Sequence, residues 1–203
     1  MRTLVIDCAT EACSVALFDG DALIAGECRV LGRGHAEALV PMIAALPGKG
    51  RADRIAVALG PGSFTGVRVG LAAARALALA WQCALIGYPT LALVAAMARA
   101  DAGAKPCTVA MTGGHGEWFV QSFGADGLPI GELASLAPAA AAAVGCEFVA
   151  GSQAEALVAQ RGSGTALPRW PDARSFALLP PVLLGPADHP LYGRAPDARL
   201  PAA

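Results

Sequence analysis

A glycine-rich loop is the segment whose residue types and spacing could most directly support chemistry. It consists of Gly60, Pro61, Gly62, Ser63, Phe64, Thr65 and Gly66. The loop precedes an apolar helical pattern from Val67 to Trp81, where exposed backbone amides could bind an anion. Its spacing does not fit a phosphate-binding P-loop, a dinucleotide-binding turn or a serine-hydrolase elbow. The alternative is a tight strand-to-helix turn, in which glycine permits positive φ or close approach of two backbones.

Histidines and cysteines are the other residues that could bind a metal or act as nucleophiles. The three histidines, His35, His115 and His189, are far apart in the sequence, so no metal site is predicted. The six cysteines contain no Cys-x-x-Cys pair, and several lie in apolar runs. We therefore expect free thiols that pack as small apolar side chains, and no zinc site.

Charge and hydropathy limit the partners that the chain can bind. The formal net charge is -1, aromatic residues make up 5% of the chain, and there is no run of Lys or Arg. This composition predicts that the isolated chain does not bind nucleic acid strongly. The apolar stretch at 71–86 is interrupted by Arg75 and Gln82, and Asp7 interrupts the apolar N-terminus. We therefore expect no membrane span, no signal peptide and a cytoplasmic location.

The elements that must position these residues form a pattern that occurs twice. In the first half the predicted elements are strands at 4–6, 14–18 and 22–27, a helix from about His35, a strand at 55–59 and a helix at 67–81. In the second half they are strands at 108–111, 117–123 and 148–150, followed by a helix that Ser152 and Glu155 would open as a capping box. The repeated order predicts an α/β protein of two duplicated units, residues 1–103 and a smaller unit at 104–203 with a proline-rich tail.

The run from Gly60 to Gly70, Gly-Pro-Gly-Ser-Phe-Thr-Gly-Val-Arg-Val-Gly, resembles the signature of the TsaB (YeaZ) family. The segments Ile6–Leu17 and His35–Ile43 are also similar to that family. In the second half, the resemblance consists of the order of strands and the closing Pro-Leu-Tyr-Gly-Arg at 190–194. The first half of the chain therefore carries most of the similarity.

The resemblance implies an α/β fold of the actin-like ATPase class (ASKHA, ribonuclease H-like), with two duplicated βββαβα-type lobes and a reduced second lobe. Members of the family are non-catalytic paralogues of TsaD. TsaD makes N6-threonylcarbamoyladenosine next to the anticodon in tRNAs that read codons beginning with A. The resemblance therefore implies that this chain binds and activates a TsaD-type catalytic subunit, together with a TsaE-type ATPase, and meets tRNA only through the complex.

The resemblance also implies that no residue of this chain is catalytic. TsaD binds a metal through two histidines three residues apart, which this sequence lacks, so ATP and metal are expected on the partner subunits. Asp7 and Thr10 occupy the turn that holds phosphate in kinases of this fold, but Cys8 and Ala9 replace the permissive glycine, and Glu11 would repel phosphate. We interpret Asp7 and Thr10 as a vestigial nucleotide turn, in which Asp7 stabilises the backbone.

The expected functional surface lies on the helix from His35 and on the alanine-rich helix that follows the glycine loop. The candidate interface residues are His35, Leu39, Met42, Phe64, Arg68, Leu71, Ala74, Arg75 and Ala78. Alanine is small on every side of a helix, so the sequence leaves open which face meets a partner. It also leaves open whether a homodimer uses the same surface.

Two further points remain open at the level of sequence. The segment Thr112–Glu117 departs from the Asp-Ala-Arg that the family commonly shows there, so a contact made by that arginine would be lost or replaced by one from His115. The alternative function is an active ATP-dependent kinase or peptidase of the same fold, with ATP binding retained.

Overall fold

The first lobe is built on a mixed β-sheet in the computed structural model, which describes residues 1–193. Its strands are β1 (Arg2–Asp7), β2 (Ala12–Asp19), β3 (Ala22–Val30), β4 (Arg54–Ala58) and β5 (Ala84–Tyr88). They lie in the order β3-β2-β1-β4-β5, with β1 antiparallel to β2 and parallel to β4. Strands β1 and β4 are buried on both faces, which explains their nearly continuous apolar sequences.

The second lobe repeats this topology with shorter strands. These are β6 (Cys107–Thr112), β7 (Trp118–Phe123), β8 (Ala134–Leu136), β9 (Phe148–Ala150) and β10 (Thr165–Leu167). Their order is β8-β7-β6-β9-β10, and β6 is antiparallel to β7 and parallel to β9, as β1 is to β2 and β4. The predicted duplication of one α/β unit is therefore confirmed.

Helices separate and cover the two sheets. They are α1 (His35–Ala45), α2 (Phe64–Trp81), α3 (Thr90–Ala102), α4 (Pro138–Ala142) and α5 (Ala154–Arg161). Apolar residues of α1 and α2 form one core with the outer face of the first sheet. Helix α3 lies between the sheets, and its core includes side chains from both lobes, whereas α4 and α5 cover the outer face of the second sheet. The shared core around α3 fixes the two lobes relative to each other.

The chain returns to the first lobe after β10. The 3-10 segment Ala173–Leu178 covers the inner face of the first sheet, where the Phe176 ring lies 5.5 Å from that of Tyr88. A short strand, β11 (Gly185–Pro186), then pairs antiparallel with β5. The assignment of residues 104–203 to a second lobe is therefore corrected, since 173–193 pack on the first lobe. Arg194 of the predicted closing motif lies outside the described residues.

Three local predictions also differ from the structure. Helix α2 begins at Phe64 and not at Val67, because the Ser63 side chain caps it by accepting a hydrogen bond from the Gly66 amide. Strand β5 and helix α3 have no counterpart among the predicted elements. Helix α5 exists, but Ser152 does not cap it, because its hydroxyl accepts a hydrogen bond from the Thr112 amide instead.

Helix α2 is, by length and composition, apolar enough to cross a membrane, with a mean hydropathy of 1.2 over 18 residues. Core helices of globular proteins meet the same criterion. Leu71 and Ala74 of α2 are buried against the first sheet, and 33% of the helix is buried in all, so α2 packs by one face and leaves the other exposed.

Candidate functional site

The glycine loop packs directly on the hairpin turn between β1 and β2. A Cβ atom on Gly62 would collide with the carbonyl oxygen of Ala9, and one on Gly66 would collide with that of Cys8. The Ser63 amide donates a 2.7 Å hydrogen bond to the Ala9 oxygen. The two backbones therefore touch at positions where only glycine fits. The loop forms a tight strand-to-helix turn that joins α2 to the first hairpin.

Asp7 stabilises the hairpin turn between β1 and β2 from the protein interior. Its side chain is fully buried, Oδ1 accepts a 3.0 Å hydrogen bond from the Ala9 amide, and Oδ2 lies 3.2 Å from the Tyr88 hydroxyl. Thr10 also stabilises the turn, because Oγ1 accepts a hydrogen bond from the Ala12 amide. Burial raises the pKa of Asp7 to about 7, and the hydrogen bonds from Ala9 and Tyr88 offset only part of this shift.

A cleft of about 970 Å³ lies between the lobes, where the two equivalent hairpin turns face each other. Thr10 and Glu11 line it from the first lobe, and the turn at 112–115 lines it from the second. The other residues that line it are Gly32, Gly62, Ser63, Phe64, Val67, Arg68, Phe119 and residues 190–193. Asp7 does not line the cleft. Glu11 does, and its Oε2 atom is buried without a hydrogen-bond partner among residues 1–193.

The C-terminal segment runs along α2 and uses two of the predicted interface residues. Arg75 donates hydrogen bonds to the backbone oxygens of Ala187 and Asp188, at 3.1 and 2.7 Å. Arg68 donates to the Tyr192 hydroxyl at 2.9 Å, and its guanidinium lies over the Phe64 ring. Both arginines are exposed, but each is already held by a contact within the chain.

Most of the other predicted interface residues lie in the core. The buried ones are His35, Leu39, Met42, Leu71 and Ala74, and Ala78 is half-buried. Apart from His35, they pack under α1 and α2 because they form the apolar stripe of each helix. The prediction that the five buried side chains contact a partner is therefore corrected. Phe64, which is 68% exposed, remains available at the surface.

The outward faces of α1 and α2 carry a different set of apolar residues. On α1, Ala36, Val40 and Ala44 are exposed at intervals of one helical turn. On α2 beyond its first turn, the exposed apolar residues are Ala72, Ala76, Leu79 and Ala80. Val40 is 62% exposed and Leu79 is 80% exposed. Since α1 and α2 pack on the same face of the first sheet, these residues form two apolar ridges on one side of the molecule. We call them the α1–α2 surface.

The three histidines lie apart in the structure as well. His35 is buried at the start of α1, and its Nε2 atom has no hydrogen-bond partner in the described part of the chain; His115 borders the cleft and His189 is exposed. Within residues 1–193, no three His, Cys, Asp or Glu side chains are grouped as they would be to hold a metal ion. All six cysteines are free thiols in the structure.

The paired lobes, with equivalent hairpin turns on either side of a cleft, define a protein of the actin-like ATPase fold. A family model described as "TsaD: tRNA N6-adenosine threonylcarbamoyltransferase" matches residues 29–170. The chain belongs to this family and, within it, to the TsaB (YeaZ) proteins.

Three relatives show the extent of the similarity. The tRNA threonylcarbamoyladenosine biosynthesis protein TsaB of Escherichia coli is 39% identical over 59% of this chain and 53% of its own length. The TsaB protein of Haemophilus influenzae is 38% identical over 47% of this chain and 42% of its own length. The chain thus spans about half the length of these curated relatives. A crystal structure of a protein with similarity to the peptidase YeaZ from Pseudomonas aeruginosa has a TM-score of 0.80 and 28% identity, covering 95% of this chain and 99% of that one.

Proposed function

We propose that this chain is a non-catalytic subunit of the complex that makes N6-threonylcarbamoyladenosine next to the anticodon of tRNAs reading codons that begin with A. In this role it binds and activates a TsaD-type catalytic subunit, acts with a TsaE-type ATPase and contacts tRNA only within the complex. It works in the cytoplasm. The same surface can also pair two copies of the chain. The names of the TsaB relatives support the pathway.

The α1–α2 surface is the observation that carries this proposal. Val40 and Leu79 are large aliphatic side chains that are 62% and 80% exposed, and small alanines flank each of them. Small residues let a partner helix approach closely, and contiguous exposed apolar surface is typical of an interaction site. A TsaD-type subunit shares this fold, so its equivalent helices could pack against α1 and α2 as a helical bundle.

The polar groups of the cleft favour a non-catalytic role. Asp7 is turned away from the cleft and bonded to its own turn, whereas Glu11 places a carboxylate on the wall where a kinase of this fold would hold phosphate. We therefore propose that ATP and metal bind to the partner subunits and that this chain carries no cofactor.

A pull-down with the TsaD-type subunit of the same cell tests whether the α1–α2 surface binds that subunit. We expect Leu79→Arg to abolish association, because an arginine in the centre of an apolar interface would bury an unpaired charge. Ile130→Arg is the matched control, since Ile130 is 62% exposed but lies on the second lobe. Retained binding by Leu79→Arg, with a normal melting curve, would contradict the proposed surface.

Isothermal titration with Mg-ATP distinguishes a non-catalytic subunit from an active kinase or peptidase of the same fold. We expect no saturable binding by the isolated chain, because Glu11 opposes phosphate in the cleft. Tight binding with release of ADP would instead favour the kinase.

A further inference from the structure

Two cysteines of the first hairpin lie side by side beneath α2. The Sγ atoms of Cys8 and Cys13 are 3.6 Å apart, and both side chains are buried. Asp7 pairs with Ser14 in the β1–β2 ladder, so the next positions along it place Cys8 opposite Cys13. Directly opposed strand residues hold their Cβ atoms about 5 Å apart, and a disulfide spans about 4 Å. A small movement of the turn would therefore bring the two sulfurs to bonding distance.

We propose that Cys8 and Cys13 form a site of reversible oxidation, at which a peroxide converts the two thiols into an intramolecular disulfide. The Cys13 thiolate attacks one oxygen of the peroxide, the O–O bond breaks, and a sulfenic acid forms on Cys13. The other oxygen leaves as hydroxide and takes up the proton that the Cys13 thiol released, which gives the first water. The Cys8 sulfur then displaces the hydroxyl group from Cys13, and its proton leaves with that group as water. In sum, two thiols and one hydrogen peroxide give one disulfide and two waters.

The two thiols have different roles in this proposal. The hydrogen bond with Cys8 lowers the pKa of Cys13, whereas the same bond and burial raise the pKa of Cys8. Since the thiolate is the nucleophile, Cys13 is the thiol that reacts with peroxide, and Cys8 resolves the sulfenic acid.

The remaining nearby cysteine lies on the other side of the sheet. Cys28 is paired with Ser14 in the β2–β3 ladder, and Ser14 bonds the Ala173 amide on the inner face. Cys13, the next residue along β2, points to the outer face, where it packs in the core under α1 and α2. Cys28 therefore cannot replace Cys8 without rearrangement of the sheet, and the proposed disulfide is specific to one pair.

The cysteine pair lies against the start of α2, so its oxidation would change the packing of that helix. Gly66 packs against the carbonyl oxygen of Cys8, and Gly70 faces the Cys8 side chain. Thr10 and Glu11, which lie between the two cysteines, border the interlobe cleft. Because both thiols are buried, peroxide reaches them only when this turn opens toward the cleft, so we expect slow oxidation.

Peptide mapping of the wild-type chain tests the proposal. After treatment with hydrogen peroxide and removal of the excess by catalase, free thiols are alkylated in denaturant, and the chain is cut with a Glu-specific protease. Cleavage after Glu11 and Glu27 places Cys8 in Met1–Glu11 and Cys13 in Ala12–Glu27, so their disulfide joins two separate peptides. We expect this linked pair together with the loss of two alkyl labels, and dithiothreitol should restore both labels.

The matched variants are Cys8→Ser, which should give no linked pair, and Cys28→Ser, which should behave as the wild type. Full alkylation of Cys8 and Cys13 while half-buried Cys28, Cys83 and Cys146 become oxidised would overturn the proposal. So would a disulfide from Cys8 to any other cysteine. If Cys8→Ser does not fold, the wild-type map alone decides between these outcomes.

Discussion

At the scale of single residues, Asp7 shows how a side chain suited to phosphate binding can instead stabilise its own turn. The carboxyl group is fully buried, and its two oxygens contact the Ala9 amide and the Tyr88 hydroxyl. Burial disfavours the charged form, which raises the pKa of Asp7 to about 7. A group in this state links the stability of the hairpin to pH.

Replacing Asp7 with Asn should remove that pH dependence. Between the unfolded pKa of about 4 and the folded pKa of about 7, the folded chain holds a proton that the unfolded chain has lost. The free energy of unfolding of the wild type therefore falls as pH rises through this window and levels off above it. A shift of this size corresponds to roughly 4 kcal/mol, since each pKa unit is worth about 1.4 kcal/mol.

Asn should mimic the protonated side chain, because its oxygen can accept from the Ala9 amide and its NH2 group can donate to the Tyr88 hydroxyl. We expect Asp7→Asn to be more stable than the wild type at about pH 8 and similar to it only below the unfolded pKa of about 4. Urea unfolding at a series of pH values measures this difference. Asp21→Asn, at an exposed position, is the control. An equal pH slope for Asp7→Asn and the wild type would show that Asp7 is not the group responsible.

At the scale of elements, α2 has one face in the core and one in solvent. Ala74 is fully buried, and Ala76, two positions further along the same helix, is exposed. The two alanines therefore allow the same substitution to be made on opposite faces.

Ala74→Arg should destabilise the fold by at least about 3 kcal/mol, through overpacking and a buried unpaired charge. Ala76→Arg should change stability by no more than about 0.5 kcal/mol, as is usual for a surface substitution. Thermal melts followed by circular dichroism compare the variants directly. Similar melting temperatures for both would mean that α2 is rotated relative to the structure described here.

Elements with strong periodicity were predictable, and those without it were not. The strands of both hairpins were predicted because their apolar runs end at polar turns. The sequence does not predict helix α3, because the helix is buried on nearly every side between the sheets and therefore lacks the polar face that marks an amphipathic helix. The buried face of α2 was not predictable for the opposite reason, because alanine occupies both of its faces.

The contacts of the C-terminal segment could not be predicted from the sequence. Arg75 binds the backbone oxygens of Ala187 and Asp188, and any two residues offer such oxygens. No side-chain pattern therefore marks the partner of Arg75, although the arginine itself was recognised as a candidate contact residue. The glycine loop, by contrast, can be recognised in the sequence, because its unusual composition reflects two close backbone contacts.

At the scale of the whole molecule, the isolated chain should bind tRNA weakly. Its net charge is -1, and two of its arginines are already engaged with the C-terminal segment. Without a basic surface, little free energy is available from the release of counterions. We expect no gel shift with tRNA at physiological salt and micromolar protein, and a shift once the catalytic subunit is added. A salt-sensitive shift with this chain alone would contradict the expectation.

The path of the C-terminal segment has a consequence for synthesis on the ribosome. N-terminal domains commonly fold before the rest of the chain has been made. Here the inner face of the first sheet is covered by Ala173–Leu178, and its edge is extended by β11. While residues 104–167 are being translated, the rings of Phe18 and Tyr88 still lack their contact with Phe176. The first lobe to emerge is therefore the last to be completed, and its aromatic face stays uncovered until Ala173–Leu178 has been made.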